Sequence, residues 1–378
     1  MTEPRTPGQL LQELLDERGW TYKVLELVTG LDSSSISKIV VGKKPVDARL
    51  ALLFGEVFGI EADRFLALQQ SLDLAQARLV ERPDPARARR AHIYGDLPVS
   101  EMNKRGWIRV EKIRNVKEVE AEVAKFFRVA SVDDIPTLTP AFKKTNPESP
   151  LNAAQLAWLY RVDRIASQMI VPKYSPSALR AAIPKLRDLL SAPELARHVP
   201  RILMECGIRF LIVETIGNAK VDGVCCWATM GSAPVVAMSC RYDRIDNFWF
   251  VLRHELEHVL REDGRVNPML DFELEGKLVS PDSESPEAER LANEAAAEFC
   301  VPGDKIRKFI ALKSPLFAER DMLGFARTLK IHPGIVAGQI RHRTARSDLF
   351  SRHLCKVRFA VAPTATVDGW GDVAPVAS

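Results

Sequence analysis

The sequence predicts a multidomain protein in which an all-α domain is followed by a helical connector and an α+β domain with a small sheet. Three observations carry this. The first seventy residues alternate short amphipathic helical patterns with turn signals and show no β-alternation. Residues 115–205 again place apolar side chains at three and four spacing. Short β-branched runs appear after Cys206, and helical runs succeed them. A chain of 378 residues is also too long for one ordinary core, which favours two or three domains.

In the first domain, residues 1–77, helices are expected near 8–18, 21–29, 33–41, 47–58 and 61–77. Breaks fall at Gly19, Gly30-Leu31-Asp32, Gly42 to Pro45 and Gly59. Ser33 is expected to cap the third helix and Asp47 the fourth, because their side-chain oxygens accept the orphan amides of a first turn. Residues 78–205 open with linker composition to about 114, carrying Pro83, Pro85, Pro98 and the basic cluster Arg87, Arg89 and Arg90. A helical connector follows, through "VKEVEAEVAKFF", "NAAQLAWLYRVDRIASQMI" and "PSALRAAIPKLRDLLSAPELARHV".

Residues 206–345 form the α+β domain. "GIRFLIVETI", "GVCCWAT" and "APVVAMSC" read as strands of a mixed or antiparallel sheet, and "NFWFVLRHELEHVL" and "PEAERLANEAAAEFCV" as helices. Residues 346–378 form a C-terminal tail whose end, "VAPTATVDGWGDVAPVAS", is small and Pro/Gly-rich and is expected to be disordered.

Composition narrows the class. No apolar run approaches the ~18 residues that span a bilayer, and "MTEPRTPGQL" lacks a secretion signal, so no membrane partner and a cytoplasmic location are expected. Six cysteines without a CxxC argue for reduced, mostly buried thiols and against a redox enzyme. The net charge of +4 is modest. Residues 1–70 carry 8 Lys/Arg against 10 Asp/Glu, while residues 78–114 carry 10 against 5.

"TYKVLELVTGLDSSSISKIVVGKKP" pairs an apolar-periodic helix, a tight turn at Gly30 and a second helix with a short polar face, the grammar of a helix-turn-helix. Ser33, Ser34, Ser35, Ser37 and Lys38 are candidates to donate to phosphates or base edges, with Lys43 and Lys44 clamping the backbone from the next loop. From about Pro7 to Gln76, through the turn, "GKKP" and "FGIEADRFLALQQ", the chain resembles the HigA-like antitoxin domains of the lambda-repressor-like, XRE-type superfamily. The resemblance implies binding to operator or promoter DNA. A homodimer is expected only by analogy with readers of palindromes.

In "HELEH", His254 and His258 lie one turn apart and about 40° around a helix axis, so both imidazoles face one ion. Glu255, about 100° from His254, is placed to take a proton from water rather than to hold the ion. Two histidines satisfied on a core helix remain the alternative until a third ligand is found.

Downstream, "EAERLANEAAAEFCVP" sets Glu289 at the head of a helix that ends before Pro302. With HExxH, this resembles the ImmA/IrrE family of metallopeptidases, whose glutamate lies in an E-x-x-A-N helix. The likeness runs from "VDGVCCWATMGSAPVVAMSC" to "HPGIVAGQIRHR". Ala295 stands where an aromatic is usual, and Phe299-Cys300 replaces a leucine pair. The resemblance implies a zincin-like fold, a zinc ion on His254, His258 and Glu289, and Glu255 as general base.

Glu289, and not Glu284, Glu287, Glu294 or Glu298, is expected to complete the site, because Ala292, Asn293 and Ala296 give its face of the helix small residues while Glu284 falls in the Ser/Pro-rich loop before it. Candidates to polarise a substrate carbonyl are His332, Arg341 and His342. Asp243, Asp246 and Asn247 are expected to lead into the HExxH helix, and Cys225 and Cys226 to be buried strand residues.

Together these imply a transcriptional regulator fused to a zinc-dependent endopeptidase that cuts a repressor- or antitoxin-like protein. The other reading is a HigA-like antitoxin or autorepressor, binding DNA and a toxin, with a non-proteolytic zinc domain.

Overall fold

The computed structural model describes residues 6–80, 86–135, 143–144, 151–227, 233–263, 265, 269–272 and 287–374. The chain divides into two compact units, Met1–Arg87 and Ala88–Ser378.

The first unit holds α1 (Pro7–Arg18), α2 (Tyr22–Thr29), α3 (Ser33–Val40), α4 (Ala48–Phe58) and α5 (Ala62–Val80). Local chemistry sets the ends. Gly19, Gly30 and Gly59 close α1, α2 and α4 in the left-handed conformation, and Asp47 caps α4 by accepting the Leu50 amide at 2.8 Å. The cap of α3 is Asp32, not Ser33: its Oδ1 accepts the Ser35 amide at 2.7 Å. A carboxylate one residue upstream takes the position, and Ser33 becomes the first helical residue. Leu11, Leu15, Leu25, Ile36, Phe54 and Phe65 form the core, and a Cβ on Gly8 would overlap the carbonyls of Ile39 and Val40, so glycine lets α1 approach α3.

The second unit contains α6 (Ala86–Asp96), α7 (Val99–Lys104), α8 (Val116–Phe127), β1 (Lys143–Lys144), α9 (Ala153–Ala166), α10 (Pro176–Asp188), α11 (Val199–Glu205), β2 (Arg209–Val213), β3 (Val221–Trp227) and β4 (Pro234–Met238). It continues with α12 (Ile245–Arg261), β5 (Met269–Phe272), α13 (Glu287–Cys300), α14 (Gly303–Lys313), α15 (Glu319–Leu329), α16 (Pro333–Thr344), α17 (Arg358–Val361) and β6 (Thr366–Asp368). The stretch read as linker is therefore helical at α6 and α7. Arg89 pairs with Glu120 there, while Pro83 and Pro85 lie outside the described residues.

The sheet is mixed, in the order β1-β5-β3-β4-β2-β6. β3 runs antiparallel to β4 and β5, whereas β2 is parallel to β4 and β6. Both faces are covered. Phe210, Ile212, Cys225, Val236 and Met238 join the core shared with α10, α11 and α12, while Leu211, Val213, Val224, Cys226 and Ala237 join that of α8 and α9. Double coverage explains why these strands read as continuous apolar runs instead of alternating.

The end of the chain departs from expectation. Instead of a disordered tail, β6 completes an edge of the sheet beside β2, and residues 375–378 alone of this stretch lie outside the described residues. Asp368 is buried in an ion pair with Arg161 of α9 and accepts from Trp107 Nε1 at 3.1 Å. Composition missed this because the segment is anchored by scattered contacts, the buried Asp368 carboxylate together with Val357, Val361 and Ala374, and not by a continuous apolar run. Asp368→Ala strands a buried guanidinium and should cost about 3–5 kcal/mol of unfolding free energy in urea titration.

Candidate metal centre

α12 is buried along most of its length: Ile245, Phe248, Trp249, Leu252, Leu256 and Val259 face the core. Its HExxH turns lie where α12 meets both the sheet and α13. α13 approaches closely because Ala292 and Ala296, three and seven residues beyond Glu289, are fully buried on the facing side.

His254, His258 and Glu289 converge as a buried group able to hold a metal ion. His254 Nε2 lies 3.0 Å from His258 Nε2 and 3.5 Å from Glu289 Oε2, and His258 Nε2 lies 3.6 Å from Glu289 Oε1. Donors at zinc bond lengths of about 2.0–2.1 Å stand roughly 3.3–3.4 Å apart in a tetrahedron, so the three edges bracket that figure. Two imidazoles and a carboxylate are also the donor types zinc takes.

Glu255, fully buried, lies outside this trio. Its carboxylate packs over Gly223 of β3, where a Cβ would overlap it. Sequence reasoning passed over Gly223, although a glycine inside a strand signals a close approach.

The rival glutamates are engaged elsewhere. Glu298 Oε2 accepts the Gly303 amide at 2.8 Å at the start of α14, Glu294 pairs with Arg290 at 2.7 Å, Glu287 is exposed, and Glu284 lies outside the described residues.

A further carboxylate, Asp263, comes within 3.1 Å of His258 Nδ1. Burial works to raise its pKa, but the hydrogen bonds from His258 and Arg261 hold it below the usual carboxylate value. HExxH spacing gave no signal for it, because it lies beyond the helix end.

α16 meets α12 at Ile245 and Asp246, about 12 Å along the helix from His254 at 1.5 Å per residue. His332 caps α16 by accepting the Gly334 amide at 3.0 Å, and burial first, then the His353 charge, lower its pKa. Arg341 donates to the Leu349 carbonyl at 3.1 Å, and His342 shares the last turn of α16. No carbonyl-polarising role follows from these positions.

Asp243 receives the amides of Val357 and Arg358 rather than capping α12, and Asp246 pairs with Arg244. Asn247 lies in the first turn of α12.

Cys225 and Cys226 are buried in β3, and burial lifts the thiols of Cys226, Cys240 and Cys300 to about 12. Alkylation of the native protein near neutral pH should therefore modify half-buried Cys355 first, as peptide mapping would show.

In the first unit, Ser34, Lys38 and Lys43 are exposed on and after α3. Ser33 donates its hydroxyl to Glu26, and Ser35 Oγ receives Lys44 Nζ at 3.3 Å, while Ser37 is half-buried. The exposed polar face is thus narrower than the serine run suggests. Among the described residues no helix is long and apolar enough to cross a membrane. Comparison with protein-family models, curated proteins and solved structures finds no match to this chain.

Proposed function

We propose that the chain is a zinc-dependent endopeptidase fused to a DNA-binding helix-turn-helix domain, acting on a repressor- or antitoxin-like regulator. The observation that carries the peptidase reading is the division of labour on α12: two histidines converge with Glu289, while the neighbouring Glu255 is not one of the group and its carboxylate lies beside Gly223 of β3. A purely structural site would need no such carboxylate and usually fills its fourth position from the protein. The resemblance to the ImmA/IrrE family supports the same roles.

His254, His258 and Glu289 would hold the ion, and zinc there would supply Lewis acidity, bringing water's pKa toward ~7 and polarising a carbonyl. Glu255 takes the proton from the attacking water and returns it to the departing amine. Gly223 leaves room for the carboxylate beside the strand.

One observation favours the second reading, a zinc domain that senses or scaffolds in an antitoxin-like DNA and toxin binder. His254, Glu255 and His258 are 0% exposed and Glu289 is 1% exposed, so a peptide reaches them only if the site opens. The separating experiment is to load the purified chain with zinc and incubate it with regulators encoded beside it, following fragments by mass spectrometry. Chelator-sensitive cleavage supports the peptidase. Intact regulators together with tight binding of a toxin would support the scaffold.

For DNA, exposed Lys43 and half-buried Lys44 in the loop after α3 carry the reading. Replacing Lys43 and Lys44 by alanine should weaken promoter binding and flatten the slope of log K against log salt by roughly two units per protomer, at ~0.9 per phosphate contact. Affinity indifferent to both changes would move this domain to protein recognition.

A further inference from the structure

We propose that Asp263 is a positioning residue of the metal centre, holding the His258 imidazole with its proton on Nδ1 so that Nε2 offers a lone pair to the ion. The proposal rests on reading the trio as a metal centre and is independent of whether peptides are cleaved.

The geometry begins in the backbone. α12 ends at Arg261, and the residue after it, Glu262, adopts the left-handed conformation with φ of 59°. That reversal folds the next residue back over the last turn, and the Asp263 amide donates to the His258 carbonyl at 3.1 Å. The same residue then sends its carboxylate to the side chain of the residue whose carbonyl it caps, 3.1 Å from Nδ1. Arg261 Nε donates to the same Asp263 oxygen at 3.2 Å, which fixes the carboxylate from the other side.

An ionised carboxylate accepts hydrogen bonds and donates none. His258 Nδ1 must therefore carry a proton in this contact, and a neutral ring then has none on Nε2. It is Nε2 that faces His254 and Glu289, at 3.0 and 3.6 Å. Neutral histidine in water prefers the opposite tautomer, which would aim an N–H at the ion. Because His258 is fully buried, water cannot supply the alternative partner that would hold the ring in place. A carboxylate behind a ligating imidazole both selects the tautomer and raises ligand basicity.

The test uses the full chain, metal-free and then loaded with zinc alone, as wild type, Asp263→Ala and Asp263→Asn. Competition with a chelator should show zinc affinity 10–100-fold weaker in Asp263→Ala, with a smaller loss in Asp263→Asn, which keeps an acceptor oxygen. Nitrogen-15 spectra of histidine-labelled, metal-free protein should show His258 protonated on Nδ1 in wild type and redistributed in Asp263→Ala, a readout that general destabilisation does not produce. If Asp263→Ala fails to fold, Asp263→Asn gives both measurements in a side chain of the same shape.

Unchanged zinc affinity in a folded Asp263→Ala chain, or wild-type His258 protonated on Nε2, overturns the proposal. Wild type that takes up no zinc overturns the metal-centre reading and this proposal with it. Zinc affinity that depends on Asp263 in a chain that cleaves nothing supports the proposal and counts against the peptidase alone.

Discussion

Glu255→Gln should leave zinc content near that of wild type while reducing cleavage of a regulator substrate by at least about a hundredfold, the lower end of what a positioned general base contributes. The substitution keeps shape and hydrogen-bonding length but removes the capacity to take a proton. Zinc should stay because the metal-holding group is His254, His258 and Glu289, and the Glu255 carboxylate lies over Gly223 instead. Gly223→Ala makes a companion test from the opposite side: the added methyl must displace that carboxylate, so activity should fall with zinc retained. Elemental analysis and fragment kinetics on the same preparations decide the matter. Full cleavage by Glu255→Gln would remove this residue from the mechanism.

Loss of a ligand should act differently. Glu289→Gln should weaken zinc binding by more than the 10–100-fold typical of residues behind the ligands. Glu298→Gln should not, because Glu298 is spent on the Gly303 amide at the head of α14. Zinc that binds only the folded chain stabilises it by about 4 kcal/mol at a thousandfold excess over Kd. Wild type and Glu298→Gln should therefore gain melting temperature on adding zinc, and Glu289→Gln should gain much less. Equal loss in both glutamate variants would mean that α13 presents another face to α12.

The helical spacing of His254 and His258 and the small residues after Glu289 were legible in the sequence because helix periodicity converts directly into a shared face. The ends of α1, α2 and α4 were legible for a related reason, since closing glycines act within a turn, whereas α5 runs to Val80, beyond the expected residue 77. Asp32 in place of Ser33 marks the limit of that reading, since two adjacent residues both had cap chemistry and only backbone geometry chose between them. Asp263 and Gly223 were not legible, because each acts through a contact that spacing does not encode. One depends on the reversal at Glu262, the other on which strand passes beneath α12. The tail was misread because its anchor is a partner 207 positions away.

That long-range pairing has a consequence for synthesis. Arg161 emerges from the ribosome 207 residues ahead of the carboxylate that matches it. Until then the nascent unit carries an unsatisfied cation at the heart of α9 and an open edge on β2. A product released by premature termination ahead of Asp368 would keep both defects permanently. Such fragments should be preferred substrates for cellular proteolysis, so the pair ties the survival of the second unit to synthesis through Asp368.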